Sequence, residues 1–175
     1  MENNYKEDLK NISTFIFDID GVLTDGSLLI DSEGNMLRKM NVKDGYALKA
    51  AIESGYNMCI ISGGTNENIR KRFESLGIKE IHLGSENKIE QLNSFIKKYN
   101  IDKKNILFMG DDIPDIPILK TVGLPCCPQD ATPEVKKLCS YVSHKNGGEG
   151  CVRELIEQVL RVQGKWRLDI GAGKD

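Results

Sequence analysis

The sequence predicts an α/β fold, a doubly wound, Rossmann-like parallel sheet that carries a β-hairpin flap and no separate cap domain. Three observations predict it. Short apolar runs rich in β-branched and aromatic residues alternate with amphipathic stretches at helical spacing. The links between them are short, and repeated strand–helix units of this kind form a parallel sheet covered on both faces. The length, 175 residues, fits one domain of roughly 100–200 residues. With 39% hydrophobic residues the composition is that of an ordinary core-forming chain, which at this size needs no disulfide or metal staple.

In chain order, residues 1–11 read as a polar lead, 12–163 as the domain and 164–175 as a tail. Strands are expected at 13–19, 57–62, 80–83 and 105–109, and helices at 43–53, 66–76, 88–99 and 113–121. A last long helix is expected at 149–163, stopped by Gly164 as a left-handed cap. One segment breaks the alternation. Residues 27–30 and 35–41 flank Asp31-Ser32-Glu33-Gly34, a turn rich in Gly and acidic residues, so 27–41 reads as a hairpin flap too short to be a lid domain.

Several classes are disfavoured. Lys+Arg 24 against Asp+Glu 26 leaves a net charge of −2, without the basic surplus that drives general nucleic-acid binding. The first residues lack the apolar core of a secretory signal and no run approaches the roughly 20 apolar residues of a membrane span, so a cytoplasmic, membrane-free protein is expected. Cys59, Cys126, Cys127, Cys139 and Cys151 show no CxxC pair or zinc spacing and read as reduced, mostly buried thiols. His82 and His144 read as structural or surface residues, which leaves no Ser–His–acid arrangement.

The chemistry lies at strand ends, where open parallel sheets bind their ligands. Phe15-Ile16-Phe17 runs into Asp18-Ile19-Asp20-Gly21, and two acids two apart in an extended segment project to the same side. Alone the pair would fit a solvated turn equally well. A later strand ends in Gly110-Asp111-Asp112-Ile113-Pro114-Asp115, on the same sheet edge, and carboxylates gathered there would repel one another. A hard divalent cation relieves that repulsion, and carboxylates without His or Cys suit Mg²⁺. Ser62, followed by Gly63 and Gly64, offers a hydroxyl and backbone N–H groups to a phosphate oxygen, and Lys88 at a helix start offers a positive charge.

In this order, DxDGVLTDG, a strand ending in Ser, a Lys and then GDDxxD resemble the haloacid dehalogenase superfamily of phosphotransferases across nearly the whole chain. The resemblance implies Asp18 as the nucleophile that forms an aspartyl-phosphate and Asp20 as the acid and then base. It implies Ser62, Gly63 and Lys88 as phosphoryl-binding residues. Asp18, Asp111 and the backbone carbonyl of Asp20 would be the Mg²⁺ ligands, with Asp112 and Asp115 in support. A receiver-type phospho-acceptor domain, the alternative from another class, would place the phosphorylated Asp after an acidic pair and the Lys last, whereas here the acidic motif follows Lys88.

The small hairpin, NVKDG at 41–45 and the runs at 123–136 and 147–160 further resemble the 3-deoxy-D-manno-octulosonate 8-phosphate (KDO 8-phosphate) phosphatases. That family releases KDO for lipopolysaccharide synthesis. Its relatives act on nine-carbon keto-deoxy sugar acid phosphates. Many members carry Arg directly after the motif glycine, and nine-carbon relatives an acid, where this chain has Gly64; both substrates stay open at this point. Lys43, Gly64, Arg72, Arg38 and Arg70 are candidates for contact with the sugar acid. The resemblance also implies a homotetramer with shared active sites, in which Lys165-Trp166-Arg167 of the tail reaches a neighbour.

Overall fold

The computed structural model describes residues 5–166. In chain order the elements are α1 (Tyr5–Asp8), β1 (Thr14–Phe17), β2 (Leu29–Ile30), β3 (Met36–Leu37), α2 (Val42–Glu53), β4 (Asn57–Ile61), α3 (Glu67–Ser75) and β5 (Glu80–His82). They continue with α4 (Lys88–Tyr99), β6 (Ile106–Met109), α5 (Ile116–Leu119), β7 (Leu124–Cys127), α6 (Pro133–Lys136), β8 (Tyr141–Val142) and α7 (Cys151–Val162). Six strands form one parallel sheet in the order β5-β4-β1-β6-β7-β8, and β2 pairs with β3 in an antiparallel hairpin. The central strand β1 is flanked by β4 in the register Phe15↔Met58 and by β6 in the register Phe15↔Leu107. The chain winds away from β1 in both directions, so the strand order reverses there, and the crevice beyond its carboxyl end is the expected ligand site.

The period of two along the strands divides the core. Phe15, Phe17, Met58, Ile60, Leu107 and Cys126 face α2 and α7, whereas Ile16, Cys59, Ile61, Phe108 and Cys127 face α4 and α5. Cys126 and Cys127 thus lie on opposite faces, and all five cysteines are free thiols. Helix α7 buries Cys151, Val152, Leu155, Ile156, Val159 and Leu160, the i, i+4 stripe of an amphipathic helix. Each large apolar side chain so buried contributes about 1.5–3 kcal/mol, and Phe17→Ala in the middle of this packing would cost about 3–5 kcal/mol.

Caps join the two helices of that face. Asn41 accepts the N–H of Lys43 at 2.9 Å to start α2, and its Nδ2 donates to the Gly148 carbonyl at 3.3 Å. Asp44, three residues further, accepts the Arg153 N–H at 2.7 Å inside the first turn of α7. The NVKDG segment is therefore a joint between α2 and α7. Helix α7 ends with Gly164 at φ +67°, the left-handed cap expected there.

Four expectations need correction. The lead at 1–11 is partly built into the fold: α1 runs into a 3₁₀ turn at Leu9–Asn11, Leu9 is 1% exposed and the Tyr5 ring packs, tilted, against that of Tyr141 with centroids 4.6 Å apart. The helix expected at 113–121 is a 3₁₀ turn at Ile113–Asp115 followed by the short α5, because Pro117 lacks the N–H that a continuous helix would bond to the Ile113 carbonyl and its ring crowds that carbonyl, whereas Pro114 sits in the first turn, where no such bond is made. β7 and β8 carry no expected strand signal; β7 contains Pro125 and β8 has only two residues. The flap strands are shorter than 27–30 and 35–41, although the acidic turn closes as expected, with Asp31 Oδ1 accepting the N–H groups of Glu33 and Asn35, each at 2.9 Å. No helix among the described residues is long and apolar enough to cross a membrane.

Candidate active site

A cleft of about 520 Å³ opens at the carboxyl ends of β1, β4 and β6, lined by Asp18, Asp20, Gly21, Gly26, Ser62, Gly63, Gly64, Ser85, Glu86, Lys88, Asp111, Asp112, Pro114 and Asp115. The parallel ladder dictates this convergence. Phe17 pairs with Ile60 and Met109, so the residues that follow each strand, Asp18, Ser62 and Gly110-Asp111, emerge side by side.

Lys88 is the hub. Its ammonium lies 2.9 Å from Asp18 Oδ2 and 2.8 Å from Asp115 Oδ1, with all three side chains nearly buried. Charge-assisted bonds in such a place are strong only if the remaining lone pairs are satisfied. Asp18 Oδ1 accepts the Ile19 N–H at 2.7 Å, and Asp115 Oδ2 accepts the N–H of Asp111 at 3.0 Å. Asp112 closes the turn reciprocally, its side chain and that of Asp115 forming a capping box. These two supporting acids shape the loop that presents Asp111.

Electrostatics mark the cleft as a cation site. Burial and the neighbouring Asp115 raise the Asp18 carboxyl to about 6, even though Lys88 pulls it down. Burial together with Asp18, Asp115 and Asp112 raises Asp111 to about 8. Carboxyl oxygens of Asp18, Asp111 and Asp115 lie within 4.8 Å of one another. The excess of converging negative charge, and the hard oxygen donors that carry it, fit a Mg²⁺ ion. Asp115, expected only in support, enters this cluster, while the Asp20 side chain is turned to Arg38.

Gly21 fixes the approach of the two motifs. It adopts φ +83°, and a Cβ there would stand 2.0 Å from Asp111 Oδ2. Glycine is required by both conformation and space.

Asp20 is held by the flap. Arg38 Nε donates to Asp20 Oδ1 at 2.6 Å and Nη2 to Oδ2 at 3.0 Å. Ser62 is 2% exposed, and its Oγ accepts the Gly64 N–H at 3.2 Å, so the hydroxyl is oriented at the mouth of the Gly63-Gly64 turn.

The remaining sugar-contact candidates lie outside their own chain's cleft. Arg70 donates to Glu67 at 2.6 Å and to the Ile81 carbonyl at 2.9 Å. Arg72 runs along α2, where a Cβ on Gly45 would meet its Nη2 at 2.9 Å. Lys43 sits exposed in the first turn of α2. Lys165 Nζ lies 4.5 Å above the Tyr56 ring, and Trp166 stacks against the Arg153 guanidinium at 4.6 Å. The tail thus begins by packing on α2 and α7 of its own chain; Arg167 lies outside the described residues. Ser85 and Glu86 line the cleft without having been expected. They follow β5, and the rule that drew attention to the other strand ends would have found them.

Residues 80–155 match the haloacid dehalogenase-like hydrolase family. The chain is 36% identical over 165 residues to the 3-deoxy-D-manno-octulosonate 8-phosphate phosphatase of Salmonella typhi, covering 94% of this chain and 87% of the relative. Its Escherichia coli K12 counterpart is 35% identical over the same coverage. Among solved structures, the phosphatase of that name from Yersinia pestis superposes with a TM-score of 0.90 at 30% identity, covering 93% of this chain and 88% of the other. The Moraxella catarrhalis enzyme, solved in complex with magnesium ion, phosphate ion and KDO, superposes with a TM-score of 0.89 at 31% identity and 93% coverage of both chains.

Proposed function

Since the chain belongs to the 3-deoxy-D-manno-octulosonate 8-phosphate phosphatase family of haloacid dehalogenase-like hydrolases, we propose that it hydrolyses KDO 8-phosphate to KDO and inorganic phosphate with Mg²⁺ as cofactor. The observation that carries this reading is the cleft in which Lys88 bridges Asp18 and Asp115 beside Ser62 and Asp111. It combines a carboxylate nucleophile, cationic and hydroxyl contacts for phosphate and converging acids for a metal in one place.

Phosphoryl transfer demands mainly positioning and neutralisation of charge. The ester phosphate docks on the Ser62 hydroxyl, the Gly63 N–H and Lys88, while the Gly64 N–H holds the Ser62 oxygen in place. A carboxylate oxygen of Asp18 attacks phosphorus, the bond from phosphorus to the sugar C8 oxygen breaks, and that oxygen takes a proton from Asp20. Asp20, now a base, accepts a proton from water as the water oxygen attacks phosphorus; the bond to Asp18 breaks, and phosphate leaves. Asp18, Asp111 and the carbonyl of Asp20 would hold Mg²⁺, with Asp115 beside them keeping Lys88 in place. When bound, the ion supplies charge neutralisation for the phosphoryl oxygens. Lys88, shared by Asp18 and Asp115, keeps the nucleophile oriented.

The assembly proposed is a homotetramer in the cytoplasm. It is supported by the exposed apolar side chains of the hairpin, Leu28, Leu29, Ile30, Met36 and Leu37, of which Leu29 and Ile30 are 68% and 65% exposed, the kind of exposed apolar cluster that marks an interaction surface. A steady-state phosphate-release assay on KDO 8-phosphate, with Mg²⁺ and with EDTA, tests the function. Many turnovers dependent on Mg²⁺ are expected, and a single stoichiometric burst would instead indicate a phospho-acceptor.

A further inference from the structure

The mechanism above asks Asp20 to serve the leaving oxygen and then water, yet in the structure both Asp20 oxygens accept from one guanidinium, that of Arg38 at 2.6 and 3.0 Å. The Arg38 side chain is only 8% exposed, while that of Asp20 is 38% exposed. Gly64 permits the approach: a Cβ there would stand 3.4 Å from both Arg38 Nη2 and Asp20 Oδ2, and 3.6 Å from Ser62 Oγ. The guanidinium therefore borders the phosphate pocket across a residue with no side chain. Arg38 itself follows β3 of the flap, where the Met36 carbonyl accepts from Asn66 Nδ2 at 2.9 Å and from Arg38 Nη1 at 3.3 Å, and Thr24 bridges Met40. The flap base is anchored on both sides of this one ion pair.

We propose that Arg38 is a latch exchanged by the substrate: it rests on Asp20 in the free protein and passes to the sugar-acid carboxylate when the ester binds, leaving the Asp20 oxygens to face the reacting centre. The inference deepens the proposed function and rests on it. The substrate carries two anionic ends. Its phosphate goes to Ser62 and Lys88, and its carboxylate still needs a cation. A guanidinium fork matches a carboxylate in two parallel bonds, so moving from one carboxylate to the other remakes what it breaks. An ester without a carboxylate must break the Arg38–Asp20 pair with no replacement. Recognition of the acid is thereby coupled to release of the group the chemistry uses, so that binding energy at a remote group is expressed at the reacting centre. The other arginines considered are committed elsewhere, Arg70 to Glu67 and Ile81, and Arg72 against α2.

The test compares wild type, Arg38→Lys and Arg38→Gln, each checked for folding by thermal melt, in the presence of Mg²⁺. The substrates are KDO 8-phosphate and ribose 5-phosphate, a primary alkyl phosphate of the same leaving-group class without a carboxylate. Free KDO is titrated into each protein by calorimetry. Arg38→Gln is expected to lower the ratio of kcat/KM for the sugar acid over the aldose by tenfold or more, largely through KM, and to weaken KDO binding by a similar factor. Arg38→Lys should fall between, having the charge without the fork. An unchanged ratio with unchanged KDO affinity would overturn the latch, whether or not both activities fall together, because a residue that merely props Asp20 affects both esters alike. Failure of the function itself would be separate: wild type would not turn over KDO 8-phosphate, while the KDO titration would still report on Arg38.

Discussion

Asp111 makes the residue-scale energetics testable. Its carboxyl is raised to about 8 from an ordinary 3.8, by burial first and then by Asp18, Asp115 and Asp112. In the unfolded chain it ionises near its ordinary value, so the metal-free folded state binds more protons between about pH 4 and pH 8. The stability of the metal-free protein must therefore fall as pH rises through that window, with Asp18, raised to about 6, contributing over its lower half. Thermal melts in EDTA should drop from pH 5 to pH 8, and saturating Mg²⁺ should raise the melting temperature most at the upper end; equal metal stabilisation at both ends would contradict the cluster as a cation site. Asp18→Asn should leave the melt nearly unchanged and lower turnover by orders of magnitude. Retention of more than about a tenth of wild-type turnover, a change of under roughly 1.4 kcal/mol in the barrier, would remove Asp18 from the nucleophile's place. Gly21→Ala should also abolish most activity, since its Cβ would collide with Asp111 at 2.0 Å; wild-type turnover in that variant would show that Asp111 need not stand where it does.

Elements explain how the site forms and what could be read in advance. Where a strand is a continuous apolar run ending in a polar cluster, as with Phe15-Ile16-Phe17 before Asp18, sequence periodicity and parallel pairing together place the chemistry. That is why Asp18, Ser62, Lys88 and Asp111 were legible as one cleft. β7 was not, because Pro125 punctuates it and its adoption into the sheet depends on pairing with β6 through Leu107↔Leu124, a tertiary fact with no local signal. The Arg38–Asp20 pair spans 18 residues and depends on how the flap folds over the strand end, so the sequence offered Arg38 only as one of several surface cations. Trp166, expected from the resemblance to reach a neighbouring subunit, lies within its own chain against Arg153 of α7 at 4.6 Å, a contact with no signal in the sequence around it. Removal of all residues after Gln163 should therefore lower the melting temperature by a few degrees through lost packing, measurable by calorimetry. An unchanged melt would mean that these contacts contribute nothing to stability.

On the scale of the whole molecule, one sheet edge gathers the acids, and the hairpin that leaves Leu29 and Ile30 exposed is the surface on which the proposed tetramer would assemble. Ile30→Asp on the hairpin should dissociate the proposed tetramer by light scattering while leaving the domain folded, since Ile30 is 65% exposed in the single chain; an unaltered mass would detach the hairpin from assembly. Mg²⁺-dependent turnover of a sugar-acid phosphate is decided by continuous phosphate release from KDO 8-phosphate, with and without EDTA. Multiple turnovers in Mg²⁺, abolition by EDTA and restoration by added Mg²⁺ are expected. Full turnover in metal-free buffer, or no turnover with the metal present, would contradict it.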